Sequence, residues 1–228
     1  MGKINLIIGV LLLCLTAGYG QKATRSFDLH DFDRLEMGSA FKVLVTQGPA
    51  YSIVAKGDRD DLDDLDLKVS GKTLRAGYKS KPSNRKGVTF EIQMPELRGL
   101  ELSGAVLFEG KGFKRVSSFD LDVSGASKVK LEVEADELEL DASAASNIVL
   151  VGSANRLSGE LSGASYLDAS RFPVRKVEIE ASGASSATVT ASEAVHADAS
   201  GASSIRYSGM ATSIVTKSSG ASSIKKGS

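Results

Sequence analysis

One cysteine, no tryptophan, four prolines and two histidines stand among 228 residues. Each scarcity excludes something. Cys14 has no partner for an internal disulfide, so the fold must rest on packing and hydrogen bonds. His30 and His196 are isolated and lack cysteine companions, so no zinc site is expected. No G-x-S-x-G elbow, P-loop or dinucleotide fingerprint occurs. Ser-x-x-Lys occurs as "SNRK" and "SSIK". In a serine-rich chain that spacing arises by chance, and neither copy opens a predicted helix. Charge of one sign is also missing: 28 basic residues balance 28 acidic ones. There is thus no global pull toward nucleic acid or anionic membrane.

Only one long apolar run exists. Lys3 gives a basic start, residues 4–15 are mostly apolar, and "TAGYG" follows. This reads as a signal peptide over residues 1–20, cleaved near Gly20. The run is short for a membrane span of ~20 residues. Lipidation at Cys14 is disfavoured because Leu13 stands where a small residue is wanted. An exported chain is expected, periplasmic or at the cell surface, with no transmembrane segment after cleavage.

What is abundant is repetition. "SGAS" opens at Ser124, Ser162, Ser182, Ser200 and Ser219, with "SGAV" at Ser103 and "SAAS" at Ser143. The spacings are 21, 19, 19, 20, 18 and 19 residues. That period suits one coil of a β-solenoid and is too short for tetratricopeptide or ankyrin units. One residue before the serine stand Leu102, Val123, Ala142, Leu161, Ala181, Ala199 and Ser218. Five after it stand Phe108, Val129, Ile148, Leu167, Ala187, Ile205 and Ile224. Apolar residues two apart around these columns predict strands with one buried face on each side of a corner. "ADE", "SAN" and "SEA" are expected to close each coil as a third side. The fold class is therefore all-β: a single-stranded right-handed parallel β-helix with coils of about 19 residues. A left-handed hexapeptide helix ranks second, because it needs a strict six-residue rhythm.

The corner residues are Gly104, Gly125, Ala144, Gly163, Gly183, Gly201 and Gly220. Ala144 in this column suggests that small size matters more than positive φ. The alanine that follows in every copy is expected to point inward. The next column, Ser127, Ser146, Ser165, Ser185, Ser203 and Ser222, is expected to bond from coil to coil. A catalytic serine is needed once beside a base, so a laddered serine reads as structure.

Two residues before the reference serine stand Glu101, Asp122, Asp141, Glu160, Glu180 and Asp198, and then Lys217. This acidic row is the first candidate binding surface, for a basic partner or Ca²⁺. No Gly-Gly-x-Gly-x-Asp calcium repeat accompanies it. The second candidate is a basic loop with Lys79, Lys81, Arg85 and Lys86, suited to an anionic group. "DRDDLDDLDL" reads as a short helix or loop without EF-hand spacing.

Residues 21–99 form an irregular N-terminal β region, and residues 100–228 the repeats. "FDRLEMGSAFKVLVTQG", "YSIVAKGD", "LKVSGKTLRAGY" and "VTFEIQMPELRGLELSGA", followed by the repeats, resemble the head GIN domain family, an auto-transporter adhesin family of exported bacterial proteins. The resemblance covers roughly residues 27–226. It implies a right-handed β-helix-like fold, a periplasmic or surface setting and no catalytic residues. The expected function is a non-catalytic envelope binding module or adhesin without cofactor, its partner a protein or glycan. A periplasmic envelope-maintenance factor and a β-helix carbohydrate-active enzyme are the alternatives. Homo-oligomerisation through the open solenoid end remains open.

Overall fold

The computed structural model describes residues 22–80 and 85–227. The expected signal segment and Lys81 of the basic loop lie outside the described residues. Strands β1 (Lys22–Phe27), β2 (Arg34–Met37), β3 (Lys42–Gln47) and β4 (Ser52–Asp58) precede helix α1 (Arg59–Asp63). Then follow β5 (Leu65–Ser70), β6 (Thr73–Tyr78), β7 (Thr89–Met94) and β8 (Gly99–Leu102). Five long strands come next: β9 (Leu107–Val123), β10 (Lys128–Ala142), β11 (Asn147–Leu161), β12 (Tyr166–Ala181) and β13 (Ser186–Ala199). Short strands β14 (Ser204–Ser208), β15 (Ser213–Ser218) and β16 (Ser223–Lys226) end the chain.

The long strands pair in parallel, each with the next. Val129 lies in register between Phe108 and Ile148, and Asp141 between Asp122 and Glu160. This is a parallel β-solenoid of about seven coils, as the period requires. Inward residues such as Leu131, Leu150, Leu157, Ile179 and Val195 form one continuous buried core.

Three expectations are corrected. The third side is a bend inside a continuous strand, made where two consecutive residues face out, as at Asp136 and Glu137 or Asn155 and Arg156. The alanine after each corner glycine is exposed, and the serine after it is buried. Serine can occupy the inside because its hydroxyl finds backbone carbonyls there. Ser203 Oγ donates to Ala181 O at 2.9 Å and Ser200 O at 2.8 Å, sharing one proton between this coil and the one before. Glycine is not chosen by size alone. The corner residues all have positive φ, from 59° at Ala144 to 81° at Gly104. That conformation strains any residue with a Cβ.

The N-terminal region is less irregular than its sequence suggests. β2 pairs in parallel with β8, and β3 with β9, so Leu35 meets Leu100 and Val43 meets Phe108. Ala105 N donates to Ser39 O as Ala126 N donates to Gly104 O. "GSAF" (residues 38–41) is thus a further corner, with Ser39 at φ 66° in the glycine's place. The ladder crosses residue 99 without interruption. Below this coil, β6 pairs with β2 and β7 with β3. Antiparallel β5, and antiparallel β4 with β1, then cover those edges. β1 and β5 are the outermost strands at this end of the solenoid.

Candidate functional site

Backbone register builds the acidic row. Glu101, Asp122, Asp141, Glu160, Glu180 and Asp198 are successive partners across β8 to β13. Side chains two apart on a strand share a face, so Leu102 or Ala142 beside each acid points in while the acid points out. The structure extends the row at both ends. Glu36 of β2 pairs with Glu101, and Arg75 of β6 pairs with Glu36. Arg75 Nε lies 2.6 Å from Glu36 Oε2. At the far end Lys217 of β15 pairs with Asp198. Seven carboxylates thus form one row bounded by a cation at each end.

Glu36 and Arg75 were missed by sequence reasoning. Glu36 does precede Gly38 by two residues, as Glu101 precedes Ser103. The swap of Gly and Ser in "GSAF" hid that equivalence.

A shallow groove of about 180 Å³ runs along the row, lined by Asp141, Glu160, Glu180 and Asp198 with Ser143 and Ser162. Neighbouring acids are ~4.8 Å apart at the backbone, so they repel modestly in water. Asp122 records this crowding. Its carboxyl is held above the ordinary aspartate value, first by desolvation, then by Asp141 and Asp120, with Arg34 opposing. Arg34 Nη2 lies 2.6 Å from Asp120 in the adjoining column. Among the described residues no group of three or more His, Cys, Asp or Glu is placed to hold a metal ion.

The basic loop is tied to the acidic helix. Arg85 pairs with Asp64 and lies 3.7 Å from Asp61. Its guanidinium sits 3.4 Å from the centroid of the Tyr78 ring. Lys86 Nζ lies 2.6 Å from Asp58, and Lys79 Nζ donates to Asp63 O at 3.0 Å. The two charged stretches of the sequence neutralise each other across α1 and the loop. The pairing holds Asp64 below the ordinary aspartate value, chiefly through the Arg85 hydrogen bond. Arg85, Lys86 and Lys79 are therefore engaged internally.

The corner serines cannot serve as nucleophiles in this arrangement. Ser127, Ser146, Ser165, Ser185 and Ser203 are buried, and hydroxyls such as those of Ser146 and Ser203 donate to carbonyls. His196 lies in the column between Glu178 and Val215 on an outward face. His30, beside Asp31, is in the N-terminal region. Neither column brings an imidazole to a corner serine.

Several solved structures share the architecture. A putative adhesin from Bacteroides fragilis superposes with a TM-score of 0.86 at 21% identity, covering 90% of this chain and 97% of its own. A putative lipid binding protein from Parabacteroides distasonis gives 0.74 at 21% identity, covering 92% and 98%. A putative adhesin from Parabacteroides merdae gives 0.75 at 18% identity, also covering 92% and 98%. No curated protein sequence matches this chain. The family model described as "Putative auto-transporter adhesin, head GIN domain" matches residues 31–211, spanning the ladder from β2 to β14, and the chain belongs to that family.

Proposed function

We propose that this chain is a non-catalytic, adhesin-like binding module of the bacterial cell envelope that engages a cationic partner along its acidic row. The row itself carries the reading. Seven carboxylates are fixed in one line by backbone pairing, and the cations of that line are Arg75 and Lys217, one at each end. A rigid sheet presents these charges at little ordering cost on binding. A basic partner offsets the mutual repulsion of these carboxylates, so charge complementarity favours association. Serines spent on carbonyls, with no imidazole beside them, support binding over hydrolysis. The adhesin names of structural neighbours agree with this role. The basic loop is not part of the proposed surface, because its described cations are paired internally.

The test uses purified full chain on an array of basic peptides and glycans. Wild type should be retained by basic peptides, with retention falling as salt rises. A variant carrying Asp122→Asn, Asp141→Asn, Glu160→Gln and Glu180→Gln should lose that retention. Equal retention of both proteins, or release of reducing sugar from the glycans, would overturn the proposal. Antibody labelling of intact cells separates a surface adhesin from a periplasmic maintenance factor.

A further inference from the structure

Across the corner from the acids, the next outward columns mix lysines, carboxylates and apolar side chains. In one, Thr89, Lys42, Leu107, Lys128, Asn147 and Tyr166 follow in register. In the other, Glu91, Leu44, Glu109, Lys130, Val149 and Asp168 do the same. Leu107 is 48% exposed and Tyr166 40% exposed. These positions could have held polar residues without cost to the core, because they point away from it.

The lysines frame the apolar side chains. Of the three carboxylates in these columns, Glu91 pairs with Lys56 and Asp168 accepts from Ser170, while Glu109 lines the patch, 2.8 Å from Lys111 and 3.8 Å from Lys130. Lys42 and Lys128, on either side of Leu107, form no ion pair among the described residues. A surface depression of about 320 Å³ is lined by Leu44, Leu107, Val149 and these lysines. Lys42 also borders a second one of about 500 Å³, lined by Lys22, by Lys56 paired with Glu91 and by Lys86 paired with Asp58.

The geometry points to this face as a docking surface for an anionic lipid bilayer. Three observations choose that occupant. The partner must be anionic, because unpaired lysines flank the patch. It must also accept apolar and aromatic side chains, which excludes the acidic row of a second copy, where the outward residues are acids and serines. Finally, the face is flat. The run from Lys42 to Tyr166 covers four strand spacings, ~19 Å, with shallow depressions rather than a tunnel for one chain. A membrane surface matches all three: lysines meet lipid phosphates, while leucine and tyrosine enter the interface. The corner turns the acidic row onto the adjacent face, leaving it available to a partner. This proposal does not depend on the one above, and each can fail without the other.

The experiment is co-flotation of the full chain with vesicles of phosphatidylcholine alone or mixed with phosphatidylglycerol. Binding is expected only to the anionic vesicles and should weaken as salt rises. Lys42→Glu with Lys128→Glu should lower the apparent affinity by at least about tenfold, since each lysine near the surface contributes appreciably. Leu107→Asp should also lower it, at unchanged lysine content. Arg156→Glu with Lys176→Glu makes the same charge change on the strand bend and should leave binding within about twofold. Thermal melts check that each variant is folded. No binding to anionic vesicles, equal binding to neutral ones, or equal losses in the face and bend variants would each overturn the proposal. Retention of full affinity in Leu107→Asp would do the same and would indicate a soluble polyanion as the ligand.

Discussion

Gly183 stacks on Gly163: a Cβ built on Gly183 would lie 2.7 Å from the Gly163 carbonyl oxygen, and both residues have φ 69°. Close stacking and left-handed backbone therefore act at the same atom. Gly183→Ala should destabilise the protein by about 2 kcal/mol, combining the left-handed penalty with displacement of that carbonyl. Ala144 already bears the first cost, at φ 59°. Ala144→Gly should stabilise by ~1 kcal/mol. Urea denaturation of the two variants measures both signs. A stabilising Gly183→Ala would show that the corners tolerate a side chain.

The buried serine column makes a second prediction. Ser203→Ala removes a hydroxyl donor whose acceptors are Ala181 O and Ser200 O. Ala181 O still receives the Ser200 amide at 2.8 Å, so only Ser200 O is left without a described donor. The expected cost is ~1 kcal/mol, with no effect on binding to basic peptides. Changed peptide binding without a change in stability would return these serines to the list of functional groups.

Burial of Asp122, reinforced by Asp141 and Asp120, gives a pH signature. Asp122 has a raised value in the folded chain, so the native state holds its proton more tightly than the unfolded state. Across the window from the ordinary aspartate value to the raised one, stability should fall as pH rises. Asp122→Asn should remove that component and raise the melting temperature at neutral pH. Melting curves of wild type and variant between about pH 3 and 7 test this. A lower melting temperature for the variant at neutral pH would mean that Asp122 is stabilised by a partner, not strained by its neighbours.

Calcium should do little on its own. The acids stand in a single file, and no cluster of three or more ligating side chains is positioned for a metal among the described residues. Binding by Ca²⁺ needs six to eight oxygens converging on one point. Millimolar Ca²⁺ should shift the melting temperature no more than Mg²⁺ at matched ionic strength. A Ca²⁺-specific rise lost in Glu160→Gln with Glu180→Gln would reveal a site.

The parallel coils were legible because each one repeats the same inward columns, as Val129, Ile148 and Leu167 show. The first coil was not. Met37 pairs with Leu102 across the excursion through β4 to β7, which breaks the 19-residue period. Gly38 and Ser39 also exchange places relative to Ser103 and Gly104. The acidic row was therefore read without Glu36 and its terminal Arg75. The inward residue of the corner was read as the alanine because it is apolar, whereas local carbonyl partners satisfy the serine inside. The lysine–apolar face escaped notice for another reason. Its members come from β3, β9, β10, β11 and β12, and only strand register brings Lys42 beside Leu107.

The pairing of Arg85 with α1 was equally invisible, since Asp61, Asp64 and Tyr78 reach it only through the β5–β6 hairpin. It carries the last prediction. The Arg85 side chain is 16% exposed and that of Asp61 9% exposed, so removing the guanidinium leaves a mostly buried carboxylate facing an aromatic ring. Arg85→Met should lower the melting temperature by several degrees at neutral pH, because breaking one partner of such a pair costs more than the pair contributes. Asp64 sets the pH dependence. Its value is lowered by Arg85, so its contribution is full above the ordinary aspartate value and disappears as pH falls through the lowered one. The gap between wild type and variant should therefore narrow on acidification to about pH 2. Arg85→Lys keeps the charge but loses the planar stack on Tyr78, and should fall between the two. A gap that stays constant with pH would assign the loss to packing on Tyr78 alone.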